Sequence, residues 1–147
     1  MTTTMSMPTK YSDLHDLAVR DSRRTSGPML LGHQQACDEL YEVWQDCLAP
    51  DWDGNGASPV VRLAYCETKN LIESLPPGFP RPSIGAEPDG QMTLEWRRQT
   101  RRVLSVSVDP TGVLHYAAMY GSDVVNGTIE YFGGQVPDKL IQLVNRL

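Results

Sequence analysis

Gln91-Met92-Thr93-Leu94-Glu95-Trp96-Arg97 alternates without a break, apolar at 92, 94 and 96 and polar in between. A period of two is the mark of a strand with one face buried and one face wet. The same period returns over Arg102–Val108 through Leu104, Val106 and Val108, and over Val113–Tyr120 through Leu114, Tyr116 and Ala118. Turn-formers separate these runs: Pro88-Asp89-Gly90, then Asp109-Pro110-Thr111-Gly112, then Gly121-Ser122-Asp123. Ser83–Glu87 adds a weaker leading strand, and Thr128–Phe132 reads as a closing one. Strands joined by turns this short pair with their neighbours in sequence, so an antiparallel meander of four to five strands is expected. In this register Met92, Leu94, Trp96, Leu104, Val106, Leu114 and Tyr116 share the buried face. Thr93, Glu95, Ser105, Ser107 and His115 share a half-polar face that is the natural place for a partner.

Upstream of Ser83 the apolar period is that of a helix. Ala36, Leu40, Val43, Trp44, Cys47 and Leu48 form one stripe, which predicts a helix over residues 33–49. Val60, Ala64, Leu71, Ile72 and Leu75 predict a second, from Pro59 to about Leu75, stopped by Pro76-Pro77-Gly78. Phe79-Pro80-Arg81-Pro82 is then a stiff extended connector. After Gly133-Gly134, Pro137 opens a C-terminal helix carrying Leu140, Ile141, Val144 and Leu147. Helices segregated from a meander make an α+β fold: two N-terminal helices, the sheet, and a C-terminal helix. Residues 29–147 are expected to form this single domain. Residues 1–28, rich in Thr, Ser and Met, are expected to be a flexible tail with at most a short helix over residues 11–20.

Between the first two helices lies Asp51-Trp52-Asp53-Gly54-Asn55-Gly56-Ala57-Ser58-Pro59. Asp53-Gly54 and Asn55-Gly56 are turn dipeptides, because Gly and Asn tolerate positive φ. Ser58-Pro59 has the form of a helix N-cap followed by proline at the first helical position. Trp52 is expected to fold back and fill the gap between helices and sheet. Asp51, Asp53, Asn55 and Gly56 match the start of a calcium loop of the EF-hand kind, yet Arg62 stands where the bidentate Glu belongs. The expectation is a structural corner built from Trp52, Asp53, Gly54 and Gly56, with no metal.

The combination of Trp52-Asp53-Gly54-x-Gly56-Ala57, a helix ending in Leu75-Pro76, Pro88-Asp89-Gly90 and Leu94-Glu95-Trp96 resembles a group of small bacterial and phage-borne proteins. These share a Trp-Asp-Gly-x-Gly-Ala loop and have no assigned activity. The likeness covers residues 50–147. It implies a bacterial or mobile-element setting and carries over no catalytic residue.

Composition narrows the function classes. Apolar content of 40% and charged content of 21% are those of a soluble globular chain. A formal net charge of -5 disfavours indiscriminate nucleic-acid binding. No apolar run reaches the length of a membrane span, and the N-terminus lacks a signal-peptide core. Cys37 and Cys47 fall on one predicted helix, roughly 15 Å apart along its axis, too far for a disulfide. Reduced thiols in a cytoplasm are the expectation. His15, His33 and His115 have no partner at metal-ligand spacing. There is no phosphate loop and no Gly-x-Ser-x-Gly elbow. Cys66 has no supporting context as a nucleophile. The chain is therefore expected to be no enzyme and to need no cofactor.

Two charged patches remain. Asp38, Glu39, Glu42 and Asp46 make one side of the first helix acidic, either a solvated face or a surface for a basic partner. Arg97, Arg98, Arg101 and Arg102 crowd one hairpin tip, where arginine forks can grip carboxylates or phosphates. Trp96 is the lone aromatic among them, so a base-stacking platform is missing. Together these features predict a protein-binding module of a bacterial or phage mobile element. It would inhibit a partner protein by occluding it, as antitoxins and anti-defence (anti-CRISPR) proteins do. The alternative is a nucleic-acid-binding accessory protein using the arginine hairpin.

Overall fold

A computed structural model describes residues 31–131 and 135–147. The tail expected over residues 1–28, its short helix, and the Phe132 to Gly134 break lie outside the described residues. The order is α1 (Leu31–Asp46), α2 (Arg62–Ser74), β1 (Ser83–Ala86), β2 (Met92–Gln99), β3 (Arg102–Val108), β4 (Val113–Tyr120), β5 (Asp123–Glu130) and α3 (Asp138–Asn145). The five strands form one sheet in the order β1-β2-β3-β4-β5, every neighbouring pair antiparallel. This is the α+β meander with flanking helices that the two periods imply. Among the described residues no helix is long and apolar enough to cross a membrane.

The register places Leu94 against Val106, Val106 against Tyr116, and Trp96 against Leu104. Met92, Leu94, Leu104, Val106, Val108 and Leu114 are fully buried and pack with Leu40, Trp44, Leu71 and Ile72 of the helices. Tyr116, at the margin of this face, is half-buried. Trp44 is the tryptophan buried in the core, packed between the two N-terminal helices. It is 1% exposed, stacks on Tyr65 with ring centroids 4.2 Å apart, and donates its indole N–H to the Val60 carbonyl at 3.1 Å.

Several boundaries shift from expectation, and the three that matter most do so for a backbone reason. α1 ends at Asp46, not 49, because the Cys47 carbonyl leaves the helical path to accept Val60 N–H at 2.9 Å. α2 begins at Arg62, not Pro59, and its N-cap is Val61 without a side-chain cap. Ser58 and Pro59 are instead held off the helix. Ser58 N–H donates to the Pro88 carbonyl at 2.7 Å, and the Ser58 carbonyl accepts Trp52 Nε1–H at 2.7 Å. Pairing at both ends of Ser58 and at Val60 outweighs the weak preference of Ser-Pro for a helix start. The last strand is Asp123–Glu130, not Thr128–Phe132. A two-residue turn at Gly121-Ser122, with Gly121 at φ 70, lets the strand start at once. Gly127 in its middle hides the strand in sequence, and the structure shows its purpose: a Cβ there would lie 2.7 Å from the Tyr116 hydroxyl.

Candidate functional site

The corner at residues 51–59 is closed by its own carboxylates. Asp51 Oδ1 accepts Gly56 N–H at 2.6 Å, while Asp53 Oδ1 accepts Asn55 N–H at 2.8 Å and Ala57 N–H at 3.0 Å. Asp51 itself sits at φ 61, with Gly54 at 75 and Gly56 at 85, so the loop needs residues that tolerate the left-handed region. One oxygen of each carboxylate is thus committed to backbone donors. No group of three or more metal-ligating side chains occurs among the described residues. Trp52 departs from expectation: it is half-buried rather than buried, and its role is to tie the loop to Ser58 through its indole N–H. The turn at Gly90 docks on this corner so closely that a Cβ would meet the Pro59 carbonyl oxygen at 2.9 Å. Two of the four parts of the quoted sequence pattern, the Trp-Asp-Gly loop and Pro88-Asp89-Gly90, therefore touch.

The acidic side of α1 divides. Glu39 is a fastener. Its carboxylate accepts Arg81 Nη2–H at 3.0 Å and the Ile84 backbone N–H at 3.0 Å, which fixes the connector and β1 to the helix. Asp38 is half-buried, whereas Glu42 and Asp46 are exposed.

The arginine turn divides as well. Arg102 is half-buried and donates to the carbonyls of Arg146 (3.2 Å) and Leu147 (3.4 Å), so it holds the C-terminal helix to the sheet. Arg97 pairs with Glu95 at 3.3 Å. Arg98 and Arg101 are exposed. Strand pairing slips between Arg97 and Gln99, which leaves Arg98 in a bulge. The fold also brings Arg81 and Arg146 toward this end, and sequence spacing gives no hint of either. Arg146 lies over the Tyr120 ring at 4.2 Å and pairs with Asp123 at 2.9 Å. Arg81, Trp96, Arg97, Arg98 and Leu147 border a half-open pocket of about 280 Å³.

The face of the sheet that the helices leave open carries three cross-strand rows. Thr93, Ser107, His115 and Thr128 form the first; Glu95, Ser105, Ala117 and Asn126 the second; Arg97, Val103, Met119 and Val124 the third. The first two are the half-polar rows expected. The third is apolar beyond Arg97, with Met119 37% and Val124 67% exposed. Val103, Ala117, Ala118, Met119 and Val124 line a shallow hollow of about 200 Å³ there. Val103 and Met119 are legible as outward positions of their strands. Val124 is not, because the sequence pattern starts the last strand at Thr128, five residues after it begins.

Two of the three thiols, Cys37 and Cys47, are buried, whereas Cys66 is half-buried. Burial, reinforced by the charge of Glu73, pushes the Cys37 thiol up to about 12, and burial also raises that of Cys47. A neutral buried thiol is a poor nucleophile. Asp109 is held below the usual carboxylate range, chiefly by the Thr111 hydroxyl and backbone N–H, with His115 nearby at 3.7 Å. These groups make a turn cap with the His115 imidazole beside it. Compared with family models, curated proteins and solved structures, the chain shows no match, so the site is read from its own geometry.

Proposed function

We propose that this protein is a non-enzymatic binding module that docks a partner protein on the open face of its sheet and inhibits it by occlusion. The observation that carries the reading is the third row, in which Met119 and Val124 are exposed and Val103 is half-buried beside Arg97. Large aliphatic side chains grouped on an uncovered sheet, with arginines at the border, are the make-up of an interface core and its rim. The border charge selects the partner: Arg97, Arg98 and Arg101 favour a surface that presents carboxylates around an apolar knob. The resemblance of the loop pattern supports a bacterial or phage mobile element as the setting, with a cytoplasmic target of the antitoxin or anti-defence kind.

A photo-crosslinking residue placed at Val124 tests this in host extract, with one at Leu63 of α2 as control, since Leu63 is also exposed (62%) but lies on a helix. A discrete protein adduct from position 124 and none from 63 is expected. Equal labelling from both positions would remove the open face from the interface. A second reading, nucleic-acid binding, rests on Arg98 and Arg101, neither of which has an ion-pair partner among the described residues. It requires binding to DNA or RNA that falls steeply with salt.

A further inference from the structure

The pocket at the arginine end adjoins the border of the open face, sharing Arg97 and Arg98 with it, but is built by the connector after α2 and the C-terminal helix together with the end of β2. Its walls are apolar where Pro80, Trp96, Val144 and Leu147 meet. The Trp96 indole is fixed by its N–H bond to the Pro80 carbonyl at 2.8 Å and by edge contact with Phe79. Its rim is cationic, with Arg81, Arg97 and Arg98. Two of these are already matched by a carboxylate: Arg81 by Glu39 at 3.0 Å and Arg97 by Glu95 at 3.3 Å. Arg98 has no such partner among the described residues, and the bulge in β2 sets it against the pocket. A β-bulge re-aims a side chain and is often found beside a functional site.

We infer that this pocket binds a monocarboxylate carried on a small apolar body, with Arg98 taking the carboxylate and the Trp96, Val144 and Leu147 wall taking the body. One unmatched guanidinium suits a single negative charge, whereas a phosphate dianion calls for two. Arginine's planar fork fits a carboxylate in a bidentate way. A volume of about 280 Å³ falls just below the ligand-pocket range, which starts near 300 Å³, and so suits a small ligand body. The two sources of such chemistry are a free organic acid and the C-terminal carboxylate of a peptide ending in an apolar residue. The site stands whether or not the open face binds a partner.

The test is a titration of the full-length, isotope-labelled protein with 3-phenylpropionate, following the Trp96 indole N–H and the Arg98 backbone N–H by NMR. Saturable shifts with a millimolar Kd are expected. Arg98→Gln should weaken binding at least tenfold, while Arg101→Gln, the same charge change on the same turn, should leave it within twofold. The neutral 3-phenylpropionamide should not saturate. Absence of saturable shifts, equal binding of the amide, equal loss with Arg101→Gln, or tighter binding of inorganic phosphate would each overturn the assignment. A blocked tripeptide ending in a free-acid phenylalanine separates the sources. If it binds more tightly than 3-phenylpropionate the ligand is a chain terminus, and if it binds more weakly the ligand is a free acid. Either result sustains the carboxylate site.

Discussion

Replacing Trp44 by Phe should cost far more than the same change at Trp52, although Trp52 is the tryptophan that stands out in the sequence. Trp44 is 1% exposed and stacked on Tyr65, and its N–H satisfies the buried carbonyl of Val60. Phe keeps a ring against Tyr65 but removes that donor, and leaving a buried acceptor unpaired costs about 1–3 kcal/mol. The smaller ring also leaves a void, at about 24 cal/mol per Å³ of unfilled cavity, which adds roughly 1 kcal/mol. The sum is about 2–4 kcal/mol. Trp52 is half-buried, and its bond to Ser58 is accessible to water, which can replace it. Trp52→Phe should therefore cost about 0.5–1.5 kcal/mol, the net worth of an ordinary hydrogen bond. Urea unfolding of both variants gives the two values, provided that the slope with denaturant stays that of the wild type. A Trp52 variant as destabilised as the Trp44 variant would refute the assignment of Trp44 as the core tryptophan that joins the two N-terminal helices.

Other outcomes follow from the same geometry. Arg102→Ala should lower stability by about 1–2 kcal/mol, since it removes charge-assisted bonds to two carbonyls at the C-terminus from a half-buried site, whereas exposed Arg101→Ala should stay within about 0.5 kcal/mol; thermal melts distinguish them. Gly90→Ala should cost more than Gly54→Ala in the same assay. Both sit at positive φ, but only at Gly90 does the new Cβ meet backbone, 2.9 Å from the Pro59 oxygen. The Asp109 carboxyl has a lower pKa folded than unfolded. Its contribution is thus complete above the ordinary carboxylate value of 3.8 and is lost as pH falls through the lower folded value. Wild type should lose stability in that acid window more steeply than Asp109→Asn, and parallel pH profiles would contradict the Thr111 cap as the cause.

The sheet was legible because its strands are wet on one side, and alternation records that directly, as at Met92, Leu94 and Trp96. Where alternation fails, so does the reading. Gly127 interrupts β5 for the sake of Tyr116, a contact from the neighbouring strand that no local pattern encodes. Ser58-Pro59 has the composition of a helix start, but long-range backbone bonds to Pro88 and Cys47 claim the segment first. Glu39 looked like its acidic neighbours until the fold set Arg81 and Ile84 against it. The arginine turn is visible as a cluster of charge, yet its division into a fastener (Arg102), a matched pair (Arg97) and unmatched cations (Arg98 and Arg101) depends on where the C-terminal helix and the bulge fall. The apolar row was hidden for a related reason, since it spans three strands and one of its members lay in the strand that was misplaced.

The most direct test of protein binding through the open face is the affinity of the crosslinked partner for wild type and for the Met119→Asp, Val124→Asp variant, measured by calorimetry at two salt concentrations. Both positions are exposed, so the variant should fold with an unchanged melting temperature. Two carboxylates placed in the desolvated centre of the interface should weaken the complex at least a hundredfold, about 2.8 kcal/mol. An unchanged affinity at both salt concentrations, with the fold intact, would contradict the open sheet face as the binding surface.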